Sequence, residues 1–329
     1  MAILPIEWFV GIAGCCCLWL YRSLGVALRE PLPLYVAKLT GALSWYAVGL
    51  LLAILFSRLV VLSESRRCGG APISLGATWR EFLLSYLSPA AFLRDLRVVH
   101  AIALTFFFFI QLKHLTPLLR ARIYDEELAV FDRLLCGGHL CSVPILGWFG
   151  AASAQWLSVG YTLFYPYLGL VLVLFVLQRD FRLTSEFVAS FAAVWFLGIA
   201  FVYVVPSYGP VFVAPELFTS LPSTEVTKLQ LGLLKHREFL QAHPLSDRGI
   251  FLISGIPSLH VAIVLLGSVY LRELHRGLAA LSWSILAVTV VSTLYFGWHY
   301  LLDDLAALPL VWAAVSVSRA FCRVCGSER

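Results

Sequence analysis

Charge is what this 329-residue chain has least of: Asp, Glu, Lys and Arg together make up 13% of it. Soluble domains carry about 25% charged and about 45–50% apolar residues. Here 60% of the residues are hydrophobic and 14% aromatic, more than a soluble fold of this size can hide. A nucleic-acid partner is excluded too, because a net charge of +5 is small and scattered over the chain. No basic stretch precedes the first apolar run, where Glu7 stands instead, and no small-residue cleavage site is obvious. Residues 1–28 therefore read as a retained span and not as a signal peptide. Cys322 and Cys325 form one CxxC with no second pair beside it, which is weak as a zinc site. Nor do the eight cysteines form a secreted framework. Cys15, Cys16 and Cys17 fall in the first span, where a thiol behaves as a small apolar residue. Cys136 and Cys141 flank a polar loop and can pair if it faces an oxidising compartment. Internal repeats, low-complexity tracts and a separate soluble domain are all lacking. What remains is an all-α, polytopic integral membrane protein.

A spanning helix needs about 20 mostly apolar residues. Such runs occur at 8–28, 34–61, 98–113, 147–177, 186–206, 258–273, 277–297 and 300–318, about eight spans in all. Arg22 and Lys38 interrupt the first two and are expected to snorkel. Pro166 is expected to kink the fourth. Residues 77–96 mix Trp79, Phe82, Leu83 and Phe92 with Arg80, Glu81, Arg94 and Asp95, the pattern of an interfacial amphipathic helix. The organisation expected is an N-terminal region over 1–97, a membrane core over 98–318 and a short tail over 319–329. Two connections are long, 114–146 and 207–257, and long loops in compact chains often carry function. Basic residues in the short connections put both termini in the cytoplasm and both long connections on the outer face.

Two segments concentrate ionisable residues at span mouths, where they are costly and therefore informative. One is Gly255-Ile256-Pro257-Ser258-Leu259-His260. The other runs from Thr293 through His299 to Asp303 and Asp304. With eight spans both histidines open helices on the same side. His299 and Asp303 are four apart and share a helix face. A carboxylate there fixes the imidazole tautomer and raises the basicity of the other ring nitrogen. Adjacent helical positions diverge by about 100°, so Asp303 and not Asp304 is expected to face His299. Ser258, at a helix N-terminus, sits where free N–H groups favour a phosphate. His260 is placed to protonate a leaving oxygen. Taken alone, a His-x3-Asp pair fits a metal site or a structural hydrogen bond equally. His100, His114, His139, His236, His243 and His275 read as ordinary interfacial residues.

Pro257-Ser258-Leu259-His260 with His299-x3-Asp303 resembles the second and third signature motifs of the type 2 phosphatidic acid phosphatase superfamily. The resemblance implies a helical membrane core and a phosphohistidine intermediate. His299 would be the nucleophile, Asp303 its partner and His260 the general acid. Leu259 stands where the usual second motif has glycine, and Thr293 where the third has arginine. The first motif, with lysine and Arg-Pro, is not recognisable. Pro-Ser-Leu-His without the arginine is similar to the branch containing inositol phosphorylceramide synthase and its bacterial relatives. Lys113-His114-Leu115-Thr116-Pro117, followed by Tyr124-Asp125 and Asp132-Arg133, and then Pro206-Ser207-Tyr208-Gly209-Pro210, resemble further segments of that branch.

With the motif arginine gone, a transferring phosphoryl group needs other cations or N–H donors. Lys113 ranks first, followed by Arg133 and Arg248, with Tyr208 as a hydrogen-bond donor. No metal or other cofactor is called for by this mechanism. The activity expected is transfer or hydrolysis at a lipid phosphoester, with the lipid bilayer as its medium. The catalytic residues are the same whether water or a lipid or sugar hydroxyl is the acceptor, and the branch resemblance tilts the expectation toward transfer. A proton-coupled transporter built on His260, His299 and Asp303 is the alternative from another class. It fits less well, since the three lie at span mouths and no inverted repeat is present. Arginine far exceeds lysine, 20 to 4, which points to a GC-rich genome and a bacterial inner membrane.

Overall fold

A computed structural model describes residues 3–67, 86, 88–178, 180–243 and 254–326. Its helices are α1 (Pro5–Leu24), α2 (Pro31–Arg67), α3 (Pro89–Leu119), α4 (Asp125–Leu135), α5 (Ser142–Phe149), α6 (Ala154–Thr162), α7 (Phe164–Leu177), α8 (Phe181–Val204), α9 (Pro210–Val213), α10 (Glu225–Ala242), α11 (Leu259–Leu274), α12 (Arg276–Tyr295) and α13 (Leu301–Gly326). The β structure among the described residues is one two-residue antiparallel bridge, β1 (Pro206–Ser207) with β2 (Ser254–Gly255). The chain is an all-helical integral membrane protein. Each of the eight expected spans has a helix. Those of α2, α3, α6 with α7, α8, α12 and α13 are long and apolar enough to cross a bilayer. The remaining two, α1 and α11, have 20 and 16 residues. At about 1.5 Å per residue α11 is shorter than the hydrocarbon core.

Local chemistry sets the helix ends. Ser88 caps α3 by accepting from Ala91 N–H at 3.4 Å, and Pro89 follows it at the first helical position. Asp180 caps α8 in the same way, accepting from Leu183 N–H at 3.1 Å. α3 is longer than the span expected over 98–113. Residues 89–96, expected in an interfacial helix, are its first turns, while 77–85 and 87 of that helix lie outside the described residues. Lys113 accordingly lies inside a helix and not at its end. The fourth span breaks at Leu163, and Pro166 lies in the first turn of α7, where its missing N–H has no partner to lose. The long connections are partly helical: α4 and α5 occupy the first, α9 and α10 the second.

Between helices in lipid, close packing and polar pairs replace the hydrophobic effect as the driving force. Gly267 lets the Tyr167 ring lie directly on α11. Tyr167 Oη then meets Ser282 Oγ at 2.7 Å, and Ser282 meets Ser268 at 2.7 Å, tying α7, α11 and α12. Ser190 and Tyr270 tie α8 to α11 at 2.9 Å. α8 is central, with 67% of its apolar stretch buried, whereas α2 leans on α3 and α7 with 11% buried. Trp156 and Trp312, 79% and 73% exposed, face outward as lipid-facing side chains do.

Candidate active site

Three chain segments meet at one end of the bundle: Pro206–Pro210, Gly255–His260 and Gly297–Asp304. The first two are joined by the β1–β2 bridge, which pairs Pro206 with Gly255. The third is bound to both. Val211 N–H donates to Gly297 C=O at 3.0 Å, and Ser258 N–H donates to Asp303 C=O at 2.8 Å. Gly209 has φ +96°, and a Cβ there would lie 2.3 Å from Trp298 O. Only glycine permits both that backbone angle and that approach.

His299 lies in the turn that precedes α13 and is 5% exposed. Its Nδ1 is 3.2 Å from Asp303 Oδ2, which also accepts from Tyr300 N–H at 3.1 Å. Asp303 is wholly buried. With Nδ1 engaged by a carboxylate, Nε2 carries the free lone pair. The other carboxylate of the pair turns away: Asp304 accepts from Thr293 Oγ1 at 2.9 Å, and the buried Ser258 hydroxyl lies beside it. Thr293 thus meets an acid at the position where the resembled motif has arginine. Ser258 stands at the N-cap position of α11 without a side-chain capping bond, and His260 follows in its first turn. The His260 ring packs on Phe164 at 4.4 Å and Tyr161 at 5.0 Å, either side of the α6–α7 break. His299 and Lys113 are both within electrostatic reach of His260. Tyr161 in turn stacks on Trp298 at 5.7 Å.

Two aspartates of α4 hold the His299 turn from outside the spans. Asp132 Oδ1 accepts from Leu301 N–H at 2.8 Å and its Oδ2 from Cys141 N–H at 2.7 Å. Asp125 accepts from Tyr208 N–H, Gly209 N–H and Tyr300 O–H at 2.9–3.0 Å. Burial pushes both carboxyls upward from the ordinary carboxylate value, opposed by these N–H donors. Burial pushes the Tyr300 hydroxyl upward as well, with the Asp125 charge adding to the effect. Cys136 and Cys141 are disulfide-bonded, closing the end of α4 onto the start of α5.

Of the residues singled out from the sequence, His299, Asp303, His260, Ser258 and Lys113 gather at this end of the bundle. Tyr208 is close by through its backbone, while its ring lies under the Arg237 guanidinium at 3.8 Å. Arg133 projects from the exposed side of α4, and its neighbour Asp132 is the buried one. Arg248 lies outside the described residues. The clamping roles of Asp125 and Asp132 carry no signal in the sequence beyond the resemblance, since their partners are mostly backbone N–H groups. The aromatic wall of His260 was equally hidden, because Tyr161 and Phe164 read as span residues.

A family model described as the PAP2 superfamily matches residues 126–317, more than half of the chain. The chain belongs to the PAP2 superfamily. The matched region contains His260, His299 and Asp303 and begins inside α4. No match was found among curated proteins or solved structures. PAP2 membership supports phosphatase- or phosphotransferase-type chemistry on lipid phosphoesters in a bilayer. The match is to the superfamily as a whole and does not select the inositol phosphorylceramide synthase branch.

Proposed function

We propose that this protein is a lipid phosphotransferase that works through a phosphohistidine on His299. The observation that carries the reading is the buried His299–Asp303 pair at 3.2 Å, with His260 within electrostatic reach of His299. His299 Nε2 attacks phosphorus, forming a P–N bond. The P–O bond to the lipid alcohol breaks, its electron pair stays on oxygen, and protonated His260 supplies the proton. A hydroxyl acceptor then attacks phosphorus and gives its proton to His260. The P–N pair returns to His299, and both histidines end as they began. Asp303 keeps Nδ1 protonated and stabilises the charge on the ring during the intermediate. Lys113, Ser258 and the N–H groups at the start of α11 offset phosphoryl charge.

The tilt to transfer over hydrolysis rests on Leu259 and Thr293, which stand where the hydrolytic motifs carry glycine and arginine. A lipid or sugar hydroxyl is the acceptor class, and a phospholipid or sphingolipid headgroup is the group moved. In this reading residues 98–318 form the catalytic core, 1–97 an N-terminal addition and 319–329 a short tail. The His end of the bundle faces the outer side of a bacterial inner membrane, and the termini face the cytoplasm.

The test uses purified full-length protein with a panel of lipid phosphates and phosphodiester lipids, each with and without a hydroxyl acceptor. Acceptor-dependent lipid product that disappears in His299→Ala by about four orders of magnitude or more is the expected result. Free phosphate formed independently of acceptor makes the protein a lipid phosphatase. Proton-coupled flux lost in His299→Ala, without any phosphoryl product, replaces the enzyme reading with the transporter.

A further inference from the structure

A cavity of about 930 Å³ lies between α2, α3 and α7, beside the candidate active site. That is the upper end of the range for small-molecule sites. Its walls are mostly apolar, with Trp45, Ile102, Phe109, Leu172 and Val176 among them. One wall is α2, the least buried of the six long apolar helices, and it lies outside the family-matched residues.

The polar lining gathers near the His end. Arg29, Lys38 and Lys113 line the cavity against a single carboxylate, Glu30. Lys38 is seven residues into α2 and Lys113 six residues from the end of α3. Arg29 N–H donates to Gln111 Oε1 at 3.2 Å and Gln111 Nε2 to Arg29 C=O at 2.7 Å, so α2 starts level with Gln111 of α3 and Lys38 roots deeper than Lys113. Helical side chains slope toward their own N-terminus, which on these antiparallel helices directs the two amines toward each other. Neither makes an ion pair among the described residues. His114, 9% exposed, also lines the cavity, and neither of its ring nitrogens has a hydrogen-bond partner among the described residues. Cations and an unpartnered imidazole at membrane depth are costly unless something satisfies them. An anion with a long apolar body fits both halves of the lining. Phe164 belongs to the cavity wall and packs on the His260 ring at 4.4 Å, so one side chain lies between the cavity and that histidine.

We propose that this cavity binds the phosphate-bearing lipid substrate, with Lys38, Lys113 and His114 around the phosphate and the hydrocarbon chain running inward between α2 and α7. Lys38, on a helix outside the matched region, then supplies the cation missing at Thr293. The proposal rests on the lipid phosphoester reading given above and names where that substrate sits.

Binding is measured without turnover, in full-length His299→Ala protein, so that a failure of the chemistry leaves the result intact. The probes are long-chain phosphatidic acid, its short-chain water-soluble analogue, long-chain diacylglycerol and inorganic phosphate. Lys38→Gln is expected to weaken long-chain phosphatidic acid about tenfold or more, the size of a lost charge-assisted contact. Gly41 faces the cavity and has nothing within 4 Å of a Cβ position, so Gly41→Phe fills the space from a site that tolerates a side chain. It is expected to weaken long-chain phosphatidic acid by a similar factor and leave the short-chain analogue unchanged. Ala37→Phe, one turn earlier on the same face, repeats the test should Gly41→Phe not fold.

Unchanged long-chain binding in a folded filling variant overturns the proposal. So does absence of phosphatidic acid binding by the His299→Ala protein itself. Diacylglycerol bound as tightly as phosphatidic acid removes the headgroup site. Inorganic phosphate bound as tightly as the lipid, with the same dependence on Lys38, makes this a free-phosphate site. If the filling variants bind and turn over long-chain lipid normally in the His299 background, the catalytic reading stands and the cavity assignment falls.

Discussion

The His299 turn and the α2–α3–α7 cavity lie side by side and are built in opposite ways. In the turn, backbone and side chain are fastened by buried carboxylates: Asp303 on His299 and Tyr300 N–H, Asp132 on Leu301 N–H, Asp125 on Tyr300 O–H. In the cavity the walls are mostly apolar, Lys38 and Lys113 make no ion pair among the described residues, and one wall is a peripheral helix. A nucleophile has to be held within fractions of an ångström of its attack geometry, because misplacement costs rate steeply. A hydrocarbon chain has no directional contacts and needs only space and apolar walls. The first region is therefore rigid through hydrogen bonds, and the second is shaped by side-chain size.

That contrast breaks most readily at Asp303. Asp303→Asn should lower kcat by about three to four orders of magnitude with little change in KM, because the ring loses its tautomer and its counter-charge. A purely structural Asp303 would show itself as a loss of thermal stability with near-normal kcat in the protein that remains folded. Next in size is Asp132→Ala, which leaves the N–H groups of Leu301 and Cys141 buried without an acceptor. A loss of about 2 kcal/mol or more is expected from the thermal or denaturant midpoint. It should come with a fall in kcat, since the turn carrying His299 is released. Gly209→Ala places a Cβ 2.3 Å from Trp298 O and should cost about 1–3 kcal/mol, read in the same way. Full stability and kcat in that variant would mean that the Pro206–Pro210 segment does not brace the turn. The smallest effect is expected at Arg133. Arg133→Ala should stay within about 0.5 kcal/mol of the parent and keep its kcat, as exposed positions usually do. A large loss of activity there would restore Arg133 as a phosphate ligand and shift weight away from Lys38.

The two regions were also unequally legible in the sequence. His299 and Asp303 could be paired from spacing, since helical geometry alone brings residues four apart together. That Asp304 points elsewhere followed from the same geometry. The partners of Asp125 and Asp132 could not be inferred so: Asp132 and Leu301 are 169 residues apart, and the acceptor meets a backbone N–H that leaves no mark in residue type. Lys113 closes the apolar run 98–113, yet it is an interior residue of α3, because the helix runs on to Leu119 through Thr116 and Pro117. Pro117 removes one donor, the one Lys113 C=O would use, and α3 still closes three residues later with Arg120 N–H donating to Thr116 C=O. A lone lysine near a span start, as Lys38 is, normally snorkels to the interface. Its place in a cavity wall depends on α3 and α7.

Residue order alone is enough to put this protein in a membrane, to divide its apolar runs into helices, and to set one histidine–aspartate pair on a shared face. Those properties follow from composition and from the 3.6-residue period, both local. What holds the His299 turn, what lies against His260, and the closing of a cavity by α2 beside them emerge when the helices pack. These depend on backbone groups and empty volume brought together from distant parts of the chain, and neither a backbone N–H nor a space between helices is written in any one residue.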